Sequence, residues 1–258
     1  MIKQLNITDE KDLPIDYWDN IPSLKGLKEF NFSPDITLII GPNASGKSTL
    51  LNLLKIAFHC TEGYYSCLTR KSIENNTKRS DEDCEYHGYN IIHDGNPVFL
   101  FNPSSCKERT HFDDDFMMDQ ISHMVSTKTA SSGQKSFYSL SAACTYASKI
   151  DTIKDKLNSL DNVNDYWKKV INAGKNIINN PSIPKSKKTI ILDEPTQFMD
   201  FINEMEYWEQ MEIGTRKYQF IIATHSIGVL KNFSCDIKII ELKDGFLDDI
   251  KKSFELLK

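Results

Sequence analysis

Short, uninterrupted apolar runs alternate along the chain with a stretch of helical periodicity. The runs 36–40, 189–192 and 220–224 have the length and the isoleucine-rich composition of buried parallel strands. Directly after the first run, residues 49–59 carry apolar side chains at helical spacing, which predicts an amphipathic helix. Because parallel strands joined by helices form α/β sheets, the pattern predicts an α/β fold with a central, mostly parallel sheet.

The segments around these runs predict the periphery of the fold. Residues 1–40 have the pattern of an antiparallel β lead-in that packs beside the first of the apolar strands, and residues 89–101 predict two strands that turn at 94–96. Residues 149–180 have helical spacing and predict one or two amphipathic helices. Residues 237–242 predict a last hairpin or edge strand before a short C-terminal helix.

The turn between the first apolar run and its helix matches the phosphate-binding pattern G-x-x-x-x-G-K-[ST]. Gly41 and Gly46 allow a tight turn in which successive backbone N–H groups point at phosphate oxygens. Lys47 can reach the β- and γ-phosphates, and the Ser48 hydroxyl can ligate Mg²⁺. The residues predicted to bind nucleotide phosphate here are Gly41, Pro42, Asn43, Ala44, Ser45, Gly46, Lys47, Ser48 and Thr49.

Ionisable side chains follow the other two apolar runs. Asp193 and Glu194 end one run, and His225 follows the other. Because ligands of open α/β sheets bind at the carboxyl ends of the strands, these side chains are predicted to lie near the phosphates. Asp193 suits Mg²⁺, usually through water, and Glu194 suits a general base that orients the attacking water. His225 is predicted to contact the γ-phosphate.

A serine-rich turn, Ser131-Ser132-Gly133-Gln134, opens a further predicted helix. Hydroxyl groups, unpaired N–H groups and the helix dipole together favour a second anion site at such a turn. An ordinary helix N-cap explains the same residues equally well.

The overall composition restricts the class of protein. The chain has 258 residues, a net charge of −5, 40% hydrophobic and 26% charged residues, which is typical of a globular protein. The net negative charge argues against a strongly basic surface for binding nucleic acid, but it does not exclude a small basic patch. No apolar run approaches the roughly 18 residues of a membrane span, and the N-terminus lacks the apolar region of a signal peptide, so we expect a cytoplasmic location. Six cysteines without a C-x-x-C pair match no standard zinc finger, so reduced thiols are expected.

Taken in order, these motifs resemble the ABC-type ATPase superfamily over about residues 30–230. The signature S-S-G-Q looks more like that of the soluble RecF/SMC-like and OLD-like ATPases, many of which act in DNA repair or anti-phage defence, than that of transporter subunits. The matching elements are Walker A at 41–48, the signature motif at 131–134, Walker B at 190–194, the D-loop at 196–200 and the switch histidine His225.

The resemblance implies an ABC-ATPase head with ATP and Mg²⁺ as cofactors. The implied head is one domain over residues 1–258, with a core of about 1–60 and 186–258. A helical or inserted lobe of about 61–185 would carry the signature motif.

The resemblance also implies that two copies dock head to tail. Each nucleotide would then be held between Lys47 of one copy and the serine-rich turn of the other.

Particular residues take roles by the same resemblance. Glu194 polarises the attacking water, His225 holds the γ-phosphate and senses its loss, and Asp200 couples the two sites. Gln120, the only glutamine between Walker A and the signature motif, is the candidate Q-loop ligand of Mg²⁺, although it lies unusually close to Gln134. Without a clear Q-loop, a membrane partner is unexpected.

The leading functional interpretation is a soluble ABC-class ATPase that works as a nucleotide-gated homodimer. It passes its nucleotide state to a protein effector, encoded nearby, or to nucleic acid, in anti-phage defence or DNA maintenance. Two alternatives remain open: the ATP-binding subunit of an ABC transporter, and an ATP-sensing scaffold that does not require hydrolysis.

Overall fold

The computed structural model describes residues 1–58, 88–94, 96, 98–101, 144, 177–179, 187–197, 199–226, 228 and 233–255. Within these ranges the chain forms two β-sheets and three α-helices.

The larger sheet has five strands, and every neighbouring pair in it is parallel. The order across the sheet is β5-β7-β8-β3-β9, so the strand before the glycine-rich turn lies next to the strand before His225. The side chains of β3 and β8 are buried along their whole length, as expected for the inner strands of a parallel sheet covered on both faces. The predicted α/β class and mostly parallel central sheet are therefore confirmed. The strands are β3 (Ile36–Ile40), β5 (Val98–Phe101), β7 (Lys188–Asp193), β8 (Tyr218–Thr224) and β9 (Ile237–Glu241).

The smaller sheet has four strands in the order β2-β1-β4-β6. The first strand pairs antiparallel with both of its neighbours, which confirms an antiparallel lead-in, while β4 and β6 are parallel. The lead-in does not extend the sheet of β3, because the partners of β3 are β8 and β9. The strands are β1 (Ile2–Ile7), β2 (Glu29–Asn31), β4 (Tyr89–His93) and β6 (Ile177–Asn179).

The two strands predicted within residues 89–101 are confirmed, but they do not pair with each other as a hairpin, because they belong to different sheets. The Asp94 carboxylate accepts a hydrogen bond from the Asn96 backbone N–H at 2.9 Å, and the Asn96 side chain donates to the Lys187 carbonyl at 3.1 Å, so the turn is fixed to the start of β7. Residues 177–179, which were included in a predicted helix, form a strand because they pair with β4, a partner distant in sequence.

Three helices cover the two faces of the larger sheet. Helix α1 (Lys47–Ala57) and the smaller sheet share one hydrophobic core with side chains such as Ile39 and Ile221. Helix α2 (Phe201–Gly214) shares the opposite core with alternate side chains of the same strands, and part of α3 (Phe246–Glu255) packs against that core. The helix predicted after β9 is confirmed. Within the described ranges, no helix has the length and apolar character needed to cross a membrane.

A buried amide on β8 joins the two sheets. Gln219 on β8 accepts hydrogen bonds from the Ile2 backbone N–H at 2.8 Å and from the Thr189 hydroxyl at 2.7 Å. Its amide nitrogen donates to the carbonyl groups of Ile2 at 2.6 Å and Ser33 at 2.7 Å. Because buried polar groups are costly when unpaired, this set of bonds fixes the position of β1 relative to the larger sheet.

Candidate functional site

The glycine-rich turn lies between β3 and α1, at the carboxyl edge of the larger sheet. Gly46 precedes the helix in a left-handed conformation, with φ of 89°. A Cβ atom at Gly46 would lie 2.7 Å from Cδ1 of the buried Leu24, and one at Gly41 would lie 2.5 Å from the Ser45 hydroxyl. At Gly46 the positive φ and the contact with Leu24 both disfavour a side chain, and at Gly41 a side chain would displace the Ser45 hydroxyl, so glycine suits both positions of this turn.

Lys47 is the first residue of α1, and its side chain folds back over the turn. Its ammonium group donates hydrogen bonds to the carbonyl groups of Gly41 at 3.0 Å and Pro42 at 3.2 Å. The Glu194 carboxylate lies 3.8 Å from the same nitrogen. Because Lys47 is buried, these three oxygen partners offset the cost of burying its charge.

Ser48 and Asp193 bring the helix and the end of β7 together. The Ser48 hydroxyl donates to Asp193 Oδ1 at 3.1 Å. Adjacent ligands around an octahedral Mg²⁺ ion lie about 2.9 Å apart, so these two oxygens fit neighbouring positions on one such ion. In the described part of the chain, no group of three or more His, Cys, Asp or Glu side chains could hold a metal ion. The pair therefore suits a cation that takes its other ligands from phosphate and water.

Glu194 lies in a strained turn directly after β7. Its φ is 46°, in the left-handed region, and its backbone N–H donates to the Ala223 carbonyl at 2.9 Å. The Nδ1 atom of His225 lies 2.9 Å from Glu194 Oε1, and the His225 backbone N–H donates to Oε2 at 3.2 Å. Both carboxylate oxygens are thus held by the residue that follows β8, while 51% of the histidine side chain stays exposed.

Asp200 begins α2 as its N-cap residue. Its carboxylate accepts a hydrogen bond from the Asn203 backbone N–H at 3.0 Å, which lowers the pKa of Asp200 from its usual value. The side chain is exposed, so its negative charge is presented on the surface beside the segment that follows Glu194.

The structure brings together the residues 41–49 with Asp193, Glu194 and His225 at one sheet edge. Ser131, Ser132, Gly133, Gln134 and Gln120 lie outside the described residues, as do the cysteines 60, 67, 84 and 106.

Sequence reasoning missed one pair of residues beneath the site. On α2 the buried carboxylate of Glu204 accepts hydrogen bonds from the Trp208 indole at 3.1 Å and from the Thr196 hydroxyl at 3.4 Å. The spacing of four residues between Glu204 and Trp208 is common on helices, so the sequence carried no signal that would have singled them out.

Comparison with known families decides the class of this chain. The family described as "AAA domain" matches residues 18–219, more than half of the chain. The chain belongs to the AAA-domain family. The match includes the glycine-rich turn together with Asp193 and Glu194, so the AAA domain described here is of the P-loop nucleotide-binding class.

One curated relative matches only part of this chain. Over 78 residues the chain is 35% identical to the probable branched-chain amino acid transport ATP-binding protein LivG of Methanocaldococcus jannaschii. That stretch covers 30% of this chain and 28% of the relative, so the chain matches less than a third of the relative's length.

Two solved ABC cassettes are also similar. A nucleotide-free ATP-binding cassette from an ABC transporter has a TM-score of 0.44 and 12% identity, covering 94% of this chain and 88% of that one. A dimeric bacterial ABC transporter cassette has a TM-score of 0.36 and 17% identity, covering 94% and 95%.

Proposed function

We propose that this AAA domain hydrolyses ATP to ADP and phosphate with Mg²⁺ as a cofactor. One observation carries the proposal: the Glu194 carboxylate lies 3.8 Å from the Lys47 ammonium and 2.9 Å from His225 Nδ1. Ser48 follows Lys47 and Asp193 precedes Glu194 in the sequence, and the Ser48 hydroxyl donates to Asp193 at 3.1 Å. A base, a phosphate-binding cation and a pair of metal-fitting oxygens at one sheet edge are the parts that phosphoryl transfer to water requires.

Each residue has a proposed role in this reaction. Lys47 exchanges its contacts with the carbonyl groups of Gly41 and Pro42 for the phosphate oxygens of ATP, while the backbone N–H groups of the turn bind the same phosphates. Glu194 orients the attacking water and accepts its proton, and His225 fixes the carboxylate in place. Ser48 and Asp193 would hold Mg²⁺, which would supply positive charge against the phosphates.

The proposed working unit is a head-to-tail homodimer of a single ABC-type domain over residues 1–258. In it the serine-rich turn of one copy, Ser131–Gln134, closes the nucleotide site of the other, and Asp200 connects the two sites. The surface beside Asp200 supports a protein contact, because it carries two exposed apolar side chains, Phe201 at 58% and Ile202 at 71%.

The proposed output is a change in a partner that responds to the nucleotide state. By its S-S-G-Q motif the chain resembles RecF/SMC-like and OLD-like ATPases, which favours a cytoplasmic role in anti-phage defence or DNA maintenance. The net charge of −5 favours a protein effector over a broad nucleic-acid surface. Transport is the second candidate, supported by the match to LivG over 78 residues.

A paired substitution experiment tests the enzymatic proposal. Glu194→Gln removes the base but keeps the size of the side chain, so ATP binding by calorimetry is expected to persist while phosphate release falls by roughly 10²–10⁴-fold. Lys47→Ala removes the phosphate-binding cation and is expected to abolish binding. Hydrolysis by Glu194→Gln at the parent rate would exclude Glu194 as the base, and ATP affinity unchanged in Lys47→Ala would contradict the phosphate site.

A further inference from the structure

A buried carboxylate on α2 contacts the segment that carries Glu194. Glu204 is buried, and its Oε1 atom accepts the Thr196 hydroxyl at 3.4 Å and the Trp208 indole N–H at 3.1 Å. Thr196 follows Glu194 by two residues and is itself buried. A buried carboxylate requires such donors, so the position of this segment is tied to α2.

The other donor, Trp208, contacts the segment that carries His225. The indole is fully buried, and a Cβ atom placed on Gly228 would lie only 1.8 Å from its Nε1 atom. The Gly228 backbone N–H donates to the Ser226 hydroxyl at 2.8 Å, and Ser226 directly follows His225. The absence of a side chain at Gly228 therefore lets the backbone of this segment lie directly against the indole.

These contacts form a closed ring around the end of the sheet. On the nucleotide side, Glu194 and His225 meet directly at 2.9 Å. On the helix side, the segments that follow them meet through Glu204 and Trp208. We propose that Glu204 is a positioning residue for ATP hydrolysis, which through Thr196 and Trp208 sets the geometry of the Glu194–His225 pair. This inference rests on the proposed ATPase function.

A positioning role and a purely structural role predict different kinetics. The glycine-rich turn is not part of the ring, and Lys47 meets the ring only at Glu194, 3.8 Å away, while its hydrogen bonds go to Gly41 and Pro42. A change at Glu204 is therefore expected to displace the base with little effect on ATP affinity. A carboxylate that merely stabilised α2 would change the melting temperature without a separate effect on kcat.

The experiment compares three variants with a matched control on the same helix. Glu204→Ala removes the acceptor, Glu204→Gln keeps an acceptor oxygen, and Trp208→Phe keeps a ring but loses the donor. Glu206→Ala is the control, because Glu206 is exposed on α2. At a temperature well below all melting transitions, Glu204→Ala is expected to lower kcat about tenfold, with the ATP dissociation constant changed less than about twofold. Glu204→Gln is expected to restore most of that rate, Trp208→Phe to be intermediate, and Glu206→Ala to match the parent.

Hydrogen exchange tests the same ring without relying on turnover. Glu204→Ala is expected to raise exchange in residues 194–197 and 225–228 but not in 41–49. Parent-like kcat and exchange in a folded Glu204→Ala protein would overturn the positioning role, as would a loss of ATP affinity equal to the loss of kcat. A parent protein that binds ATP without hydrolysing it would instead overturn the proposed function, and the exchange measurement would still report whether Glu204 holds the two segments.

Discussion

The Nδ1 atom of His225 lies 2.9 Å from the Oε1 atom of Glu194, and the backbone N–H of the same histidine holds the other carboxylate oxygen. The neighbouring parallel strands β7 and β8 are thus followed by two residues, Glu194 and His225, whose contacts hold the Glu194 carboxylate in one orientation. The proposed base cannot rotate freely, so its orientation depends on the residue that follows β8.

Replacing His225 is expected to slow hydrolysis without preventing ATP binding. His225→Ala removes the imidazole contact with Glu194, so kcat is expected to fall roughly a hundredfold while ATP affinity stays within about threefold of the parent. Steady-state phosphate release and calorimetry measure the two quantities. His225→Asn, which can place an amide nitrogen near the position of Nδ1, is the control and is expected to recover part of the rate. A His225→Ala protein with the parent kcat would contradict the proposed pairing.

Two glycines with similar backbone angles are expected to differ in their tolerance of alanine. Gly46 has φ of 89° and Gly26 has φ of 79°, so a side chain costs about 1–2 kcal/mol of left-handed strain at either position. Only at Gly46 would the Cβ atom meet close neighbours, at 2.7 Å from Leu24 and 2.9 Å from Ile21, which adds about 1–3 kcal/mol for overpacking. Urea unfolding should therefore show a larger loss of stability for Gly46→Ala than for Gly26→Ala. Equal losses would show that the contacts with Leu24 and Ile21 relax without cost.

Mixing two inactive variants tests the shared nucleotide site. If Lys47 of one copy and Ser131 of the other close on one ATP, then Lys47→Ala mixed with Ser131→Arg produces mixed dimers with one intact site. With random pairing, ATPase activity is expected to recover to about a quarter of the parent rate. Lys47→Ala mixed with Glu194→Gln is the control, because both defects affect the same side of a site and none is restored. Activity that does not rise above that of the separate variants would contradict the head-to-tail arrangement.

The stability of the fold is expected to depend on the protonation of His93. Burial lowers the pKa of His93 to about 4 from an ordinary value of 6.5. Between these values the unfolded chain binds a proton that the folded chain does not, so this contribution is complete above pH 6.5 and is lost as the pH falls toward 4. Urea unfolding should show a loss of about 2 kcal/mol between pH 7 and pH 5 from this residue. His93→Gln is expected to reduce that dependence, and an identical pH dependence in parent and variant would rule the explanation out.

The inner strands of the central sheet could be predicted from the sequence because they contain continuous apolar runs. Predicting strands at 36–40 and 220–224 did not require knowledge of their partners, because a buried parallel strand has a continuous apolar composition whichever strand it pairs with. The placement of Asp193, Glu194 and His225 at one edge followed from the rule that strand ends of a parallel sheet meet.

The parts that were not predicted depend on contacts between distant residues. Ile177 and Ile178 have the spacing of a helix but form a strand because β4 is available as a partner. The strands β4 and β5 lie in different sheets because β4 pairs with β1 and β6 while β5 pairs with β7, and no local pattern encodes these partners. Glu204 could not be recognised either, because its partners come from two separate segments.

The placement of β5 and β6 in different sheets has a consequence for folding. Phe101 ends a strand that pairs with β7, and Ile177 begins a strand that pairs with β4. Each sheet therefore combines strands from both sides of the stretch 102–176, and neither ladder set is complete until distant parts of the chain have met. Such non-local pairing is slow to form, so we expect assembly of the two sheets to limit the rate of folding.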